Sequence, residues 1–228
     1  MLPDYLAVPT KAENQTVIHS MLFAQWNTAY DIVTEHNPDE VVSISSCNEY
    51  LSRQYDGLST VLEYEYAYFR MIATMCHAGD LIVRAQPPTA TSLSYPLDGK
   101  MLPQQLPAEV AFVASESYRA DLLRNPKVQT WADVLEVLDN QIVEFSSESP
   151  NQFHFETDDG EITQISLIAR GDFTGDGLDE ILILAESYFR MAVGGYSMDT
   201  LYVLSPDTTE NRFHFVQEVY LNKKSNLM

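Results

Sequence analysis

The sequence predicts an α+β fold, with a helical N-terminal half followed by an antiparallel β-sheet of about five strands. In the first half, apolar residues recur three and four positions apart, which is the spacing of one face of a helix. After about residue 150 the spacing changes to two, in short runs rich in aromatic and β-branched residues. Helices that precede a block of strands are typical of α+β proteins.

Four helical segments are predicted, at residues 14–36, 48–54, 58–77 and 130–145. The first ends before Pro38, because the residue before a proline is disfavoured in the α region. Gly57 and Gly79 bound the third helix. Thr130 is a candidate N-cap of the fourth, with Asp133 in its first turn. Residues 41–46 stay open between a short strand and an irregular link, and residues 107–123 stay open between a helix and a strand.

The strands are predicted from five short runs, "QFHFET", "EITQISLIA", "EILILAES", "DTLYVLS" and "RFHFVQEVYL". The segments between them, among them "DDG" and "VGGYSM", are rich in turn residues. Asp159-Gly160 favours a tight turn between antiparallel strands.

The chain is therefore divided into three regions. Residues 1–85 form a helical region, and residues 86–107 form a proline-rich loop or linker. Residues 108–228 contain a helix and the antiparallel sheet. With 228 residues, the first and last regions can pack together as one domain.

The charge balance is strongly acidic. The chain has 13 lysines and arginines against 33 aspartates and glutamates, which gives a net charge of −20. Nucleic acid and anionic membrane surfaces are excluded as natural partners because they would be repelled. A basic protein partner is favoured, and a merely solvated acidic surface is the alternative.

Cys47 and Cys76 are the only cysteines, and their spacing does not match a zinc framework. A Cys47–Cys76 disulfide is expected if the protein folds in an oxidising compartment, and two buried thiols are the alternative. Residues 1–12 lack the features of a signal peptide, and no run of apolar residues is long enough to span a membrane. A signal peptide or lipid anchor on the native precursor remains compatible with the sequence.

The stretch "GDFTGDGLDEILIL", residues 171–184, combines carboxylates, glycines and a following apolar strand. Oxygen ligands at alternate positions around a glycine turn are suited to Ca²⁺, which takes six to eight oxygens. Asp172 is taken as position one of the loop. The candidate ligands then stand at positions one, three, five, seven and nine, and they are Asp172, Thr174, Asp176, the Leu178 carbonyl and Glu180. An EF-hand is excluded, because Ile183 stands at position twelve and a strand follows. A solvated hairpin turn is the alternative.

This stretch resembles the calcium loops of FG-GAP and VCBS-type repeats, in which an aspartate-rich loop joins two strands. The resemblance covers residues 172–184 alone and implies side-chain ligation by Asp172, Asp176 and Glu180 and carbonyl ligation by Leu178. Thr174 stands where that family usually has Asn or Asp, and Glu180 stands where Asp is commoner. No second copy is present, so the propeller fold of repeat proteins is not implied. An affinity of about 10⁻⁴ to 10⁻³ M is expected, which suits calcium outside the cytosol.

Catalytic motifs are not found in the sequence. The histidines form none of the usual metal-binding pairs, and there is no Gly-x-Ser-x-Gly elbow, Ser-x-x-Lys pair or phosphate-binding loop. His154 and His214, each within "FHF", are expected on a half-solvated sheet face. Glu63 and Glu65 are two positions apart and do not face each other on a helix.

The sequence therefore predicts a non-enzymatic, periplasmic or secreted calcium-binding protein that binds a basic protein. One form of such a partner is a bacterial toxin or secreted enzyme, for which this chain would be an immunity protein or inhibitor. Two alternatives stay open: a hydrolase that uses carboxylates of the helical half, and a structural envelope protein that binds glycans.

Overall fold

A computed structural model describes residues 15–53, 57–90, 97–190, 197–207 and 209–219. The chain forms two compact units. Among the described residues, the first unit holds residues 15–85 and Val219, and the second holds residues 86–218. Helices and an antiparallel sheet are both present, which confirms the predicted α+β class. Within the described residues, no helix is long and apolar enough to cross a membrane.

The elements are numbered in chain order. The α-helices are α1 (Gln15–Leu22), α2 (Cys47–Leu51), α3 (Tyr66–Arg84), α4 (Leu102–Gln105), α5 (Glu116–Leu123) and α6 (Trp131–Val137). Short 3-10 helices lie at Glu63–Glu65, Gly99–Met101 and Ala108–Val110. The strands are β1 (Tyr30–Thr34), β2 (Val42–Ile44), β3 (Leu58–Thr60), β4 (Ile142–Ser149), β5 (Gln152–Thr157), β6 (Glu161–Gly171), β7 (Glu180–Phe189), β8 (Ser197–Asp207) and β9 (Arg212–Val219).

The first unit contains a small antiparallel sheet, in the order β2-β1-β3, as well as helices. Its core includes Tyr30 and Ile32 from β1 and Phe69 from α3, all of them buried. Helix α1 packs closely on α3, since a Cβ added to Gly79 would lie 2.9 Å from Leu22 Cδ2. Glycine at this position therefore allows the two helices to approach.

Two of the helix predictions in this unit are correct over only part of their length. The predicted helix over residues 14–36 ends at Leu22, and β1 follows; the predicted helix over residues 58–77 is preceded by β3 and covers Tyr66–Arg84 instead. The apolar spacing around Ile32 fits a strand as well as a helix, and antiparallel pairing with Val42 and Thr60 selects the strand. Residue 14 and Gln54, at the ends of predicted helices, lie outside the described residues.

The predicted disulfide is confirmed. Cys47 begins α2 and Cys76 lies on the buried face of α3, with their sulfur atoms bonded and their Cα atoms 5.2 Å apart. The bridge joins two helices of the first unit, as expected from the inward position of Cys76 in the helical pattern.

The second unit is built on a six-stranded antiparallel sheet in the order β4-β5-β6-β7-β8-β9. Within the described residues each predicted strand is present and β4 adds a sixth, while residues 220–221 of the last predicted run lie outside them. The Asp159-Gly160 turn joins β5 to β6, with Gly160 at φ +85°. The core on one sheet face includes Phe155, Ile183 and Tyr202. Residues 193–196 of the predicted "VGGYSM" turn lie outside the described residues.

Helix α6 covers this core and is shorter than its predicted span, because the residues from Ile142 onward form β4. The predicted cap is confirmed: Thr130 Oγ1 accepts a hydrogen bond from Asp133 N at 3.3 Å, and Asp133 Oδ2 accepts one from Thr130 N at 2.8 Å. This reciprocal pair is a capping box. Trp131 follows directly and is buried against Phe155, with ring centroids 4.9 Å apart.

Part of the proline-rich segment also reaches this core. Residues 99–105 form a 3-10 turn and α4, and Leu102 and Leu106 are fully buried. Gly99 lies against Phe153, because a Cβ at this position would come within 2.3 Å of the phenylalanine ring. Core residues therefore lie inside the stretch for which composition indicates a loop or linker.

Candidate functional site

The predicted calcium loop joins β6 to β7. Gly171 pairs with Glu180 at the end of the antiparallel ladder, and residues 172–179 form the connection. The loop contains Gly175 at φ +81° and Gly177 at φ +86°. Residues with a side chain rarely adopt this backbone conformation, so the two glycines make the tight turn possible.

Asp172 organises the first part of the loop through its carboxylate. Its Oδ1 accepts hydrogen bonds from Gly175 N at 2.6 Å and Asp176 N at 3.2 Å, and its Oδ2 accepts one from Gly177 N at 2.9 Å. The side chain is 4% exposed. A buried carboxylate that accepts several backbone N–H groups holds the loop backbone in one conformation.

Glu180 supports the same loop from the start of β7. Its Oε2 accepts hydrogen bonds from Phe173 N at 2.8 Å and Thr174 N at 3.1 Å, and its Oε1 accepts one from Thr174 Oγ1 at 3.1 Å. The residue is 0% exposed. Burial raises the pKa of Glu180, the charge of Asp176 adds to this, and the hydrogen bonds act in the opposite direction.

The other three predicted ligands, Thr174, Asp176 and Leu178, lie on the solvent side. Asp176 and Leu178 are exposed, and Asp176 Oδ1 accepts a hydrogen bond from Leu178 N at 2.8 Å. Asp179, which was not a predicted ligand, is buried and forms an ion pair with Arg170 on β6. The acidic residues of the loop therefore have different environments, although they are close in sequence.

Residues 86–90, which the sequence did not predict as part of the site, clamp the loop. Gln86 and Asp172 exchange backbone hydrogen bonds of 2.8 and 2.9 Å. The Gly177 carbonyl accepts hydrogen bonds from Thr89 N at 2.9 Å, Ala90 N at 3.1 Å and Thr89 Oγ1 at 3.1 Å. No local pattern in this proline-rich stretch indicates the contact, because the paired residues are more than 80 positions apart.

The chemistry of the loop fits calcium, since the candidate ligands are all oxygen atoms around a glycine turn. The hydrogen bonds of the two buried carboxylates limit this fit. Both carboxylate oxygens of Asp172 and of Glu180 already accept N–H or O–H groups. Among the described residues, no group of three or more His, Cys, Asp or Glu side chains is arranged to hold a metal ion. Calcium would therefore have to share oxygens that also stabilise the loop, and the ligand set stays a prediction.

A second group of buried polar side chains lies at the start of β6. Glu161 is 4% exposed, and its Oε1 accepts a hydrogen bond from Thr163 Oγ1 at 2.9 Å. The Thr163 and Ser187 hydroxyl oxygens are also 2.9 Å apart. Burial raises the pKa of Glu161 to about 7, while the Thr163 hydrogen bond lowers it and the charge of Asp159 raises it. Alternate residues of a strand share one sheet face, so Glu161 lies on the same face as the buried Ile165. This alternation is the feature of the sequence that indicates the burial of Glu161.

The histidines occupy separate environments. His154 is half-buried on β5, and His214 is exposed on β9 with its Nε2 2.9 Å from Asp207 Oδ2. His77 is buried in α3, with its Nε2 3.0 Å from the Tyr50 hydroxyl, and burial lowers its pKa to about 4. His77 is therefore neutral at pH 7.

Comparison of the chain with known protein families, with curated protein sequences and with solved structures found no match.

Proposed function

We propose that this protein works outside the cytoplasm as a non-catalytic binding protein for a basic protein, with Ca²⁺ bound structurally at the loop between β6 and β7. An inhibitor or immunity protein that neutralises a toxin is the form of this function that we favour. The observation that carries the proposal is the net charge of −20. An acidic surface attracts a basic partner over a distance and increases its rate of association.

The distribution of ion pairs supports an uncompensated acidic surface. In the described part of the second unit, every arginine pairs with a carboxylate; the pairs are Arg119–Glu218, Arg124–Asp121, Arg170–Asp179, Arg190–Glu156 and Arg212–Glu210. Other carboxylates form no ion pair with a basic side chain of the described residues, among them the exposed Glu144 and Glu148 on the edge strand β4. Little positive charge is therefore available to repel a basic partner.

The disulfide supports a location outside the cytoplasm. Disulfides persist in oxidising compartments such as the periplasm and the extracellular space, and they are rare in the reducing cytosol. Millimolar calcium is also found outside cells, and this concentration suits a loop of the expected affinity. Both features favour the same location.

The calcium part of the proposal is tested by thermal unfolding. We expect millimolar CaCl₂ to raise the melting temperature relative to chelator, because a ligand that binds only the folded state stabilises by about 1.4 kcal/mol at ten times its Kd. Asp176→Asn should abolish this rise and leave the melting temperature in chelator unchanged. Asp176 is exposed, and asparagine retains the oxygen that accepts Leu178 N.

Asp139→Asn is the matched control, because Asp139 is exposed outside the loop, and asparagine tolerates its backbone φ of +55°. This variant should keep the full calcium response. Equal melting temperatures of the wild type in calcium and in chelator would show that the loop is held by its hydrogen bonds alone.

The partner is tested by affinity capture from the secreted and periplasmic fractions of the native host, at about 50 and 500 mM salt. We expect enrichment of a protein of high isoelectric point, with an association rate that falls as salt rises, because charges are screened beyond about 10 Å at 0.1 M. An unrelated protein of the same net charge is the control bait. No enrichment over this control, together with hydrolase turnover that a carboxylate substitution removes, would replace the proposal by the enzyme alternative.

A further inference from the structure

An exposed group of aromatic and apolar side chains lies on the first unit, between β3 and the first turn of α3. It consists of Val61, Leu62, Tyr64 and Tyr68, and we call it, with Glu63 and Glu65, the acidic aromatic surface. Tyr64 is 79% exposed and Tyr68 is 48% exposed. Large apolar groups that are exposed together often mark an interaction site.

The local structure directs these side chains outward. The 3-10 turn Glu63–Glu65 leads directly into α3, so Tyr64 and Tyr68, four positions apart, lie on one side of the helix. Phe69 is turned inward and buried in the core of the unit. Phe69 therefore fills the core position of this turn, and the core of the unit does not need the side chain of Tyr64 or Tyr68. Arg70 is half-buried, and its position two residues after Tyr68 places it on a different face of α3.

A packed aromatic layer supports Tyr68 from below. The rings of Tyr68 and Tyr30 have centroids 6.3 Å apart, and Tyr30 in turn contacts Trp26 at 6.0 Å and Phe69 at 5.6 Å. Tyr30 is buried, which holds this layer in place. Its pKa is raised by burial and by Tyr68 and Glu65, so the Glu65 charge acts close to this aromatic layer.

The combination of exposed tyrosine rings and carboxylates suits an arginine side chain. A guanidinium group stacks on an aromatic face and donates hydrogen bonds to a carboxylate, so neighbouring rings and carboxylates can bind it in both ways. Tyrosine is also enriched among the residues that contribute most to protein–protein binding. The net charge of −20 favours the same partner and disfavours an anionic one.

We propose that the acidic aromatic surface is the docking site for an arginine-rich segment of the basic protein partner. This inference rests on the proposed function and adds the place and the chemistry of binding. The tyrosine rings stack on arginine side chains of the partner, and Glu63 and Glu65 accept their N–H groups. The loop between β6 and β7 then has a structural role, apart from partner binding.

The test uses the full-length protein and a fluorescein-labelled nonapeptide of alternating arginine and glycine as the probe. Fluorescence anisotropy gives the Kd at about 20 and 200 mM NaCl. We expect Tyr64→Ser/Tyr68→Ser to weaken binding at least about fivefold, because each lost stacking contact contributes about 0.5–1 kcal/mol at exposed sites. Glu63→Gln/Glu65→Gln should weaken it similarly at low salt and less at high salt.

Controls separate specific docking from general attraction to an acidic protein. Tyr118→Ser removes a tyrosine of α5 that is about as exposed as Tyr68, and Glu136→Gln/Glu144→Gln removes the same amount of charge from exposed positions of the second unit. Neither control changes a residue of the acidic aromatic surface, so both should change the Kd less than about twofold at 200 mM NaCl, where salt screens the general attraction between exposed charges. Tyr64→Phe/Tyr68→Phe retains the rings and should restore binding.

The outcomes distinguish this inference from the proposed function. Binding that all charge variants weaken equally, with no effect of the tyrosines, overturns the docking site and leaves the basic partner in place. No binding of the probe to the wild type at low salt overturns both. Tyrosine-dependent binding of a neutral oligosaccharide, or tyrosine-dependent dimerisation in sedimentation velocity, without binding of the probe, would assign the surface to another ligand and overturns the inference.

Discussion

At the scale of single residues, the buried carboxyl group of Glu161 couples protonation to folding. Its neighbours are the hydroxyl of Thr163, which donates a hydrogen bond, and the charge of Asp159. The folded protein holds the Glu161 proton up to about pH 7, whereas the usual pKa of glutamate is 4.5. Between these values the folded state binds more protons than the unfolded state, so the contribution of Glu161 to stability decreases as pH rises through about 7.

We expect Glu161→Gln to raise the free energy of unfolding at pH 8 by about 1–3 kcal/mol, because glutamine resembles the protonated form and removes the need to bury a charge. At pH 5 the same variant should differ little from the wild type. Urea unfolding of both proteins at a series of pH values between 5 and 8.5 measures the difference.

Glu144→Gln, at an exposed position on β4, is the control for this measurement and should show no such dependence. An equal effect of Glu161→Gln at pH 5 and pH 8 would mean that the carboxyl group stays charged inside the fold or leaves the core.

At the scale of elements, the loop between β6 and β7 depends on its clamp. Gly175 and Gly177 have nearly the same φ, but their surroundings differ: none of the described residues lies within 4 Å of a Cβ added at Gly175, apart from its chain neighbours, whereas one at Gly177 would lie 2.6 Å from Thr89 Oγ1. The two glycines therefore separate the effect of backbone strain from the effect of the contact with residues 86–90.

We expect Gly175→Ala to destabilise the protein by about 1 kcal/mol, from backbone strain at positive φ alone. Gly177→Ala should cost about 1 kcal/mol more, because it also displaces Thr89. In a Thr89→Ala background the difference between the two glycine variants should shrink. Denaturant unfolding of the single and double variants gives the coupling free energy between positions 177 and 89. Equal destabilisation by the two glycine variants would contradict the clamp.

The second prediction at this scale concerns the disulfide between α2 and α3. It closes a loop with a sequence separation of 29 residues, and chain entropy gives an expected stabilisation of about 3–4 kcal/mol. Cys47→Ala/Cys76→Ala should lower the free energy of unfolding by about this amount, and reductant should lower that of the wild type but not that of the variant. Alkylation of both cysteines in unreduced, denatured wild-type protein would contradict the bond.

At the scale of the whole molecule, the acidic charge acts on stability as well as on association. Carboxylates outnumber the basic groups by 33 to 13, and the arginines described in the second unit are already paired. Exposed ion pairs contribute about 0–1 kcal/mol each, whereas repulsion among the unpaired carboxylates sums over the whole surface.

We therefore expect the melting temperature to rise by a few degrees when NaCl increases from about 20 to 300 mM, because salt screens the repulsion between carboxylates. The measurement is made in chelator, so that divalent ions do not contribute. A melting temperature that falls with salt would mean that the ion pairs outweigh the repulsion.

The sequence determined the features that depend on short-range patterns. Alternation of period two predicted the strands of the sheet, and Thr130 with Asp133 predicted the start of α6, because capping acts within one turn. The position of the "GDFTGDGLDE" loop between two strands also followed from local signals. The Cys47–Cys76 bridge was expected because the chain has no other cysteine.

Tertiary structure alone decided the features that depend on residues far apart in sequence. Ile32 lies in a strand because β2 and β3 pair with β1 on both sides, and its local apolar spacing fits either period. Thr89 clamps Gly177 although 88 positions separate them, and Gly99 is needed because Phe153 lies against it. The acceptor roles of Asp172 and Glu180 likewise appear only when the loop is folded, since intrinsic preferences are weak compared with the pairing and burial that the complete chain provides.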